Sequence, residues 1–523
     1  MKKSRSFQTL LTLPYRARPH CSWNGMRCSK LKEYLMPKLH PAHLLFVLLV
    51  AVGVAYPKEI ADFVTLATQW FEHNFGWLVL LVCAFFVGFC VYIAFSRYGS
   101  LRLGGPEEEP QFSTASWLAM LFAAGMGAGL VFYGAAEPLL HYMDPPPQDR
   151  FVLEGSGEAR HAMVISYFHW GIHAWAIYAV AALSIAYFTF HRHTSLLPSI
   201  PITNHPLGSM AINSFAALAV VFGLVSSLSQ GVLQVSDGII SHAPNLSDPL
   251  TIKLGVLAAL FCCYMYSAST GIGKGIKILS DINLIIALVL MAFVLFAGPT
   301  QFIMESFVSG IGDYLDKFVY LSFNVRHFTD PGGWTESWTI TYFLWWISWG
   351  PFVGVFIARI SRGRTLKQFM LGVILVPTIF SALWFATLGG TAIHLEMLDQ
   401  PGFGDVVSTM ERTTYAVLST LPLAEVTTIV VLLLLFIFLV TSADSGTYVL
   451  GMFTTQGDLN PSVRQRLFWG VMVGLVTTGA ILTGGSIAFF RSLAVAGAIP
   501  YLIIMLLQTY GLWKALREDT GTK

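Results

Sequence analysis

The stretch WWISWGPFVG at residues 345–354 places three tryptophans within five residues and follows them directly with Gly350 and Pro351. It lies inside an apolar segment, 336–358, that is long enough to cross a bilayer. Tryptophan is usually enriched at the membrane interfaces and proline interrupts helical hydrogen bonding, so neither suits the lipid-facing middle of a helix. The stretch therefore predicts a membrane-spanning helix whose aromatic side chains face the protein interior or a ligand.

The composition of the whole chain is that of an integral membrane protein. Of its 523 residues, 55% are hydrophobic and 11% are charged, and the mean hydropathy is +0.63, whereas soluble domains carry roughly 25% charged residues. The net charge of +2 lacks the basic excess of a nucleic-acid-binding surface, so no nucleic-acid partner is expected. The six cysteines show neither a disulfide framework nor zinc spacing, and no cofactor is expected.

Twelve segments are long and apolar enough to be predicted as membrane-spanning helices. They are residues 42–56, 77–96, 115–142, 161–190, 209–236, 251–270, 282–304, 336–358, 368–395, 423–453, 467–488 and 490–513. The basic clusters between them fall on one side in a twelve-span count, and the positive-inside rule assigns that side to the cytoplasm. Because twelve is even, both termini are predicted to be cytoplasmic in a multi-pass protein of the cell (inner) membrane.

The spans divide the chain into six predicted parts. These are a basic cytoplasmic tail (1–41), two extra N-terminal helices (42–113), a first repeat of spans three to seven (114–305), an outer interfacial amphipathic segment (306–335), a second repeat of spans eight to twelve (336–513) and a short cytoplasmic tail (514–523). Each repeat begins with a helix interrupted by glycine or by Gly-Pro, and five spans is an odd number. The second repeat is therefore predicted to be inverted relative to the first, as in many transporters.

The third span contains AAGMGAGLVFYGAAEP, with Gly125, Gly127 and Gly129 at alternate positions. One interpretation is a small-residue face that lets two helices approach closely. The other is an unwound helix, because three glycines lower helix propensity by roughly 1 kcal/mol each and the freed carbonyl groups are tolerated only where they line a cavity or bind a ligand. The second interpretation makes these glycines part of a substrate site.

The fourth span carries SYFHWGIHAWAIYAV, in which Trp170, Trp175 and Tyr178 lie deep in the membrane segment. Aromatic rings at this depth either pack the core or form a box for an organic cation, which gains roughly 2 kcal/mol or more from desolvated ring faces. The tryptophans of 345–354 provide a second span with such faces. Two separate aromatic groups favour the box.

The tenth span ends with FLVTSADSG, residues 438–446, where Thr441, Ser442 and Ser445 supply hydroxyl groups and Asp444 a carboxyl group. The hydroxyls either bond back to their own helix or, together with carbonyls of a broken third span, offer the oxygen ligands that hard cations such as sodium prefer. The combination with the glycine stretch favours a sodium site.

These segments resemble the signatures of the betaine/carnitine/choline transporter (BCCT) family. GMGAGLVFYGAAEP, FHWGIHAWAIY, WWISWGPFVGVFIARISRGRT and VTSADSG are similar to that family's motifs in order and spacing, and the resemblance covers about residues 40–515. It implies an all-α membrane fold of the leucine-transporter type, in which two inverted five-helix repeats follow two extra helices. It also implies substrates with a quaternary ammonium or related onium group, and assembly as a homotrimer.

The resemblance also implies roles for individual residues. The family's aromatic cage is matched by Trp170, Trp175, Tyr178 and Trp346, and aromatics nearer its cytoplasmic exit path are matched by Trp345, Trp349 and Phe356. The ligands of one sodium ion are matched by Ala123, Met126, Phe438, Thr441 and Ser442, the first three through backbone carbonyls. Val220 and Leu224 stand where the family's second sodium site has threonines, so a single sodium ion is expected.

The sequence therefore predicts a secondary active importer rather than an enzyme. Its predicted substrate is a glycine betaine-like zwitterion, because Gly129 stands where choline-type members of the family often carry an aspartate, and a zwitterion brings its own carboxylate. The alternative is a proton-coupled carrier of choline, carnitine or dimethylsulfoniopropionate. A rival of another class is a channel, or a membrane enzyme with a metal ion held by His169, His173 and Asp444.

Overall fold

The computed structural model of the protein describes residues 40–125, 127–147, 156–242, 249–270, 273–399, 403 and 409–521. Helices make up nearly all of this part, and it contains no β-strand. We number the α-helices α1 (Pro41–Ala55), α2 (Pro57–Phe95), α3 (Thr114–Gly125), α4 (Ala128–Met143), α5 (Ser156–Trp170), α6 (Ile172–His191), α7 (Pro206–His242), α8 (Pro249–Thr270), α9 (Gly273–Ala297), α10 (Thr300–Phe323), α11 (Thr341–Ile360), α12 (Leu366–Met397), α13 (Met410–Ser419), α14 (Ala424–Thr454), α15 (Val463–Leu482) and α16 (Ile487–Asp519). The predicted all-α class is confirmed for the described residues.

Ten helical segments among the described residues are long and apolar enough to cross a membrane. The predicted spans that are not among them are the first and the third. α1 has only 15 residues, fewer than the roughly 20 that a crossing helix needs, and the third span is divided between α3 and α4, with 12 and 16 residues. The membrane class is confirmed, whereas the count of twelve spans stays a prediction.

The two predicted repeats pack against each other in a reciprocal pattern. The first span of each set packs on the second span of the other, α4 on α12 and α11 on α6. The third span of each set packs on the fifth span of the other, α7 on α16 and α14 on α9, and also on its fourth, α7 on α15 and α14 on α8. A two-fold relation between the sets produces such reciprocal pairs, and with five spans per set this relation inverts one set.

The eighth span is one continuous helix, so the expected break at Gly350 and Pro351 was wrong. α11 runs through both residues, with Pro351 inside it, and a π-helical turn at Glu336–Ile340 leads into its first residue. Gly350 instead permits close packing, because a Cβ at this position would lie 3.2 Å from the ring of Tyr501 on α16. The glycine therefore serves contact between two helices.

The fourth span is the one that is divided, at Gly171, between α5 and α6. The N–H of Ile172, the first residue of α6, donates to the hydroxyl of Tyr314 on α10 at 3.1 Å. A Cβ on residue 171 would lie 2.9 Å from that hydroxyl oxygen, so the contact requires glycine. α10 belongs to the predicted outer segment 306–335 but begins earlier, at Thr300. This amphipathic helix packs on the bundle and caps the divided span.

Candidate functional site

The third span is interrupted at the predicted glycine stretch. α3 ends at Gly125 and α4 begins at Ala128, with Gly127 in an extended conformation (φ −140°, ψ 175°) before it. Met126 lies outside the described residues, and Ala123 lies near the end of α3. The predicted unwinding is confirmed. Two helix ends meet here in mid-span, and helix ends carry backbone groups without intrahelical partners.

The four predicted cage residues come together between α5, α6 and α11. The ring of Trp170 meets that of Trp346 edge to face, with centroids 4.8 Å apart. The ring of Tyr178 lies 6.1 Å from Trp346 and 5.6 Å from Trp175. All four side chains are buried. Their role in binding a substrate stays a prediction.

Trp345 belongs to the same group, although the resemblance places it nearer an exit path. Its ring stacks on that of Trp346 at a centroid distance of 5.5 Å, with 7° between the planes, and lies 6.4 Å from Trp170. We therefore define the aromatic cluster as Trp170, Trp175, Tyr178, Trp345 and Trp346.

The other two predicted aromatics of α11 lie further along that helix. The ring of Trp349 contacts Phe352 at 5.4 Å and faces α7, where a Cβ on Gly223 would lie 3.2 Å from its indole nitrogen. Phe356 is partly buried against the core. The role of Trp349 and Phe356 on an exit path stays a prediction.

A buried carboxylate, Glu137 of α4, fixes the orientation of the aromatic cluster. Its Oε2 accepts hydrogen bonds from Trp170 Nε1 and from the Tyr342 hydroxyl of α11, both at 2.6 Å. Its Oε1 accepts from Nδ1 of His169 at 2.7 Å. The backbone carbonyl of His169 in turn accepts from Trp346 Nε1 at 2.8 Å. Because a buried carboxylate is costly unless it is hydrogen-bonded, these donors stabilise Glu137 while it holds the rings in place.

The metal site of the rival hypothesis does not form with the residues predicted for it. Among the described residues, the one group of candidate metal ligands that includes His169 contains Glu137 and His141, and neither His173 nor Asp444. The ligand atoms of that group lie within 4.8 Å of one another, which is close enough to surround an ion. Both oxygens of Glu137 already accept hydrogen bonds, however. The arrangement is that of a hydrogen-bonded network.

A small cavity lies beside the aromatic cluster. It is lined by residues of α4, α7 and α11, namely Ala128, Gly129, Phe132, Tyr133, Ser227, Gln230, Gly231 and Trp345. Of the predicted substrate residues, Gly129 and Trp345 reach this cavity. A Cβ on residue 129 would lie 3.4 Å from Trp170 and from Trp345, so the glycine keeps the α4 backbone close to the rings.

The predicted sodium ligands of the tenth span lie in an unbroken helix, α14. The hydroxyl of Thr441 donates to the carbonyls of Ile437 at 2.9 Å and of Phe438 at 3.1 Å. Ser442 is partly exposed, and α14 packs against α4, the second half of the divided span. With Met126 outside the described residues, the assembly of these groups into one ion site stays a prediction.

Two charged residues inside predicted spans were missed by the sequence reasoning, namely Glu137 in the third span and Arg491 in the twelfth. The guanidinium carbon of Arg491, on α16, lies 4.6 Å from the ring centroid of Trp338 and 5.8 Å from that of Tyr342. A signal for both existed, because ionisable residues inside membrane segments are rare and usually functional. A search for charges within the spans finds both residues.

Almost the whole chain is similar to known transporters. The sequence model described as BCCT, betaine/carnitine/choline family transporter, matches residues 39–521. The glycine betaine transporter OpuD of Bacillus subtilis (strain 168) is 40% identical over 476 residues, 89% of this chain and 91% of the relative. The probable glycine betaine transporter of Desulfitobacterium hafniense (strain Y51) is 38% identical over 493 residues, 92% and 97% of the two chains. The ectoine/hydroxyectoine transporter of Virgibacillus pantothenticus is 34% identical over 479 residues, 90% and 94% of the two chains.

Proposed function

This chain belongs to the betaine/carnitine/choline transporter family, and we propose that it is a secondary active importer of a glycine betaine-like zwitterion, coupled to sodium through a single ion site. The family and the relatives are transporters, so the chain is a membrane transporter of small molecules and not an enzyme. The observation that carries the substrate proposal is the aromatic cluster, in which Trp170 and Trp346 are in ring contact and are tied to the network of Glu137.

An onium group suits this cluster for electrostatic reasons. Ring faces attract a desolvated cation, and several faces together recognise a quaternary ammonium that offers no hydrogen-bond donor. Glu137 adds a buried negative charge next to Trp170, which further favours a cation in the cluster. Two of the relatives are named for glycine betaine and one for ectoine and hydroxyectoine. These names support a compatible-solute zwitterion as the substrate.

Sodium coupling is proposed for the pair formed by the glycine stretch and α14. The proposed ligands are the carbonyl oxygens of Ala123, Met126 and Phe438 and the hydroxyl oxygens of Thr441 and Ser442. Because Thr441 uses its proton in hydrogen bonds to its own helix, its oxygen keeps lone pairs for a cation. Oxygen ligands of this kind suit a hard monovalent ion.

Transport follows from binding that differs between two states of the bundle. Sodium between α3, α4 and α14 would tie the divided span to the tenth and favour the outward-open state. The onium group would then enter the aromatic cluster, and movement of one set of helices against the other would open the site to the cytoplasm. Ion and substrate must each bind the two states with different affinity, since otherwise no coupling results.

Uptake into proteoliposomes tests this function. Radiolabelled glycine betaine is expected to accumulate when an inward sodium gradient is imposed, and to equilibrate without accumulation when sodium is equal on both sides. Accumulation driven by an inward proton gradient instead, with choline competing better than glycine betaine, would support the proton-coupled alternative and overturn the sodium proposal. Carnitine and dimethylsulfoniopropionate serve as further competitors that rank the substrates.

Location and assembly belong to the same proposal. The basic residues at both ends and in alternate loops support cytoplasmic termini in the cell membrane, and the resemblance supports a homotrimer. Cysteine labelling of a variant with a single added thiol at either end, from intact cells, checks the first. Mass measurement of the purified protein in detergent checks the second.

A further inference from the structure

Arg491, in the second turn of α16, lies beside Tyr133 and Tyr342, whose rings contact Trp170 of the aromatic cluster. Its guanidinium carbon lies 5.3 Å from the ring centroid of Tyr133, 4.6 Å from that of Trp338 and 5.8 Å from that of Tyr342. Its Nε donates to the Tyr133 hydroxyl at 3.2 Å. Its Nη2 donates to the sulfur of Met410 at 4.0 Å. The side chain is therefore held by three ring faces, one hydroxyl group and one thioether, in a helix that is among the candidate membrane spans.

No carboxylate of the described residues forms an ion pair with Arg491, and those of Glu137 and Glu72 attract its charge only from a greater distance. Other described arginines are paired, Arg160 with Asp313 at 2.7 Å and Arg362 with Glu108 at 2.9 Å. Around Arg491, no carboxylate oxygen of the described residues comes within 4.0 Å. An arginine inside a membrane segment is costly unless its charge is matched. Cation–π contacts offset part of this cost, and the guanidinium N–H groups that do not bond to Tyr133 or Met410 suit an anion.

The guanidinium is linked to the cavity and to the aromatic cluster. The Tyr133 hydroxyl, which accepts from Arg491, donates to Gln230, and both Tyr133 and Gln230 line the cavity. The rings of Tyr133 and Tyr342 also contact the ring of Trp170, at 5.9 Å and 5.8 Å. The guanidinium therefore lies beside two rings that also border the cluster.

The Trp345 side chain adds a second unused donor to this region. Its indole N–H is buried and has no acceptor among the described residues, and the residue lines the same cavity. A buried N–H without a partner loses its hydration and gains no hydrogen bond in return. Both the orphaned donor and the unpaired guanidinium would be satisfied by an anionic oxygen group.

We propose that Arg491 recognises the carboxylate of the substrate and so determines that the transporter takes zwitterions rather than cations. This inference rests on the proposed function, since it concerns the same site. The onium group lies against the cluster, and the carboxylate faces the guanidinium, with the Trp345 N–H as a further donor in the region. A cation such as choline, which has no carboxylate, meets only repulsion from Arg491.

A purely structural role for Arg491 makes a different prediction. If the side chain only supports the rings of Tyr133, Trp338 and Tyr342, its replacement loosens the cluster and weakens the binding of every onium ligand by the same factor. If Arg491 instead recognises a carboxylate, its replacement weakens the binding of zwitterions alone. Glycine betaine and choline carry the same trimethylammonium group, so the ratio of their dissociation constants separates the two roles.

The experiment compares the wild-type protein with Arg491→Gln and Arg491→Lys, with Arg160→Gln as the matched control. Arg160 is an arginine at the far end of α5 that is paired with Asp313. Dissociation constants for glycine betaine and for choline are measured by tryptophan fluorescence in detergent, after size-exclusion chromatography has shown that each variant is monodisperse.

Arg491→Gln is expected to weaken the binding of glycine betaine at least tenfold and to leave the affinity for choline unchanged or increased. Arg491→Lys is expected to have affinities between those of Arg491→Gln and the wild type, and Arg160→Gln those of the wild type. If the wild type does not bind choline, Arg491→Gln is expected to gain choline binding. Equal weakening of the binding of both ligands, or unchanged affinity for glycine betaine, overturns the assignment. Where the wild type does not bind choline, loss of glycine betaine binding without a gain of choline binding also overturns it. A wild type that responds to neither ligand contradicts the proposed function instead.

Discussion

The aromatic cluster and the predicted sodium site differ in the kind of atoms that form them. In the cluster every group is a side chain, and the rings are oriented by hydrogen bonds to Glu137 and to the backbone of His169. At the sodium site, three of the five predicted ligands are backbone carbonyls, and the hydroxyl of Thr441 is bonded to its own helix. A side-chain substitution can therefore dismantle the first site, but can remove only part of the second.

The two sites also differ in the feature that sets their geometry. The cluster depends on one buried carboxylate that no ligand needs to touch, while the ion site depends on a break in the third span at Gly127. Pre-organised donors and acceptors cost little to align at the moment of binding. Substitution of Glu137 is thus expected to have the largest effect on binding, substitution of one ring of the cluster a smaller effect, and loss of a single hydroxyl at the ion site the smallest.

The largest effect is expected from Glu137→Gln. An amide offers one accepting oxygen where the carboxylate offers two, so the hydrogen bonds from Trp170 and Tyr342 weaken by roughly 1.5 kcal/mol each. Together they correspond to a loss on the order of 100-fold in affinity for glycine betaine. A titration by tryptophan fluorescence measures this loss.

The control for this variant is Glu72→Gln, which alters another buried acid of a membrane helix. Glu72 of α2 accepts from the hydroxyl of Thr341 at 2.6 Å, a hydrogen bond that involves no ring of the cluster. It is expected to change affinity by less than threefold, in keeping with a single altered hydrogen bond of about 0.5 kcal/mol. Equal losses in the two variants would show that Glu137 has no special role in orienting the rings.

The next effect is expected from Trp346→Leu. Leucine fills much of the space but offers no ring face, so roughly 2 kcal/mol of cation–π attraction is lost, or about 30-fold in affinity. The control is Trp70→Leu, since Trp70 of α2 is 61% exposed and contacts no member of the cluster. A response to glycine betaine that survives Trp346→Leu unaltered would remove this tryptophan from the substrate site.

Much of the fold could be predicted from the sequence, because a bilayer admits few alternatives to apolar helices of about 20 residues. The positions at which helices are interrupted were harder to predict. Gly350 and Pro351 predicted a break and lie in a continuous helix, whereas Gly171 gave no clear signal and divides the fourth span. Gly350 packs against Tyr501 and Gly171 against Tyr314, and the local sequence does not reveal the positions of these neighbours from other helices.

The aromatic residues of the site could be predicted from the sequence, but the hydrogen bonds that link them to buried charges could not. The aromatic residues were found because several bulky rings deep in two spans are unusual, and because their motifs resemble those of a family. The bond from Tyr342 to Glu137 joins residues 205 positions apart, and the contact of Arg491 with Tyr133 spans 358. Partners so distant in sequence become visible only when the helices are packed.

The smallest effect is expected from Thr441→Ala, and it falls on sodium rather than on substrate. One neutral oxygen of five is removed, a loss of about 1 kcal/mol if it resembles an ordinary hydrogen bond, so the half-saturating sodium concentration for uptake rises about fivefold. The control is Thr447→Ala on the same helix, whose hydroxyl likewise bonds back, to the Asp444 carbonyl at 2.8 Å. If both substitutions shift the sodium dependence equally, the shift reflects loss of helix back-bonding. If only Thr441→Ala shifts it, the ion is in contact with that oxygen, and the small size of the shift measures how much of the site the backbone carbonyls supply.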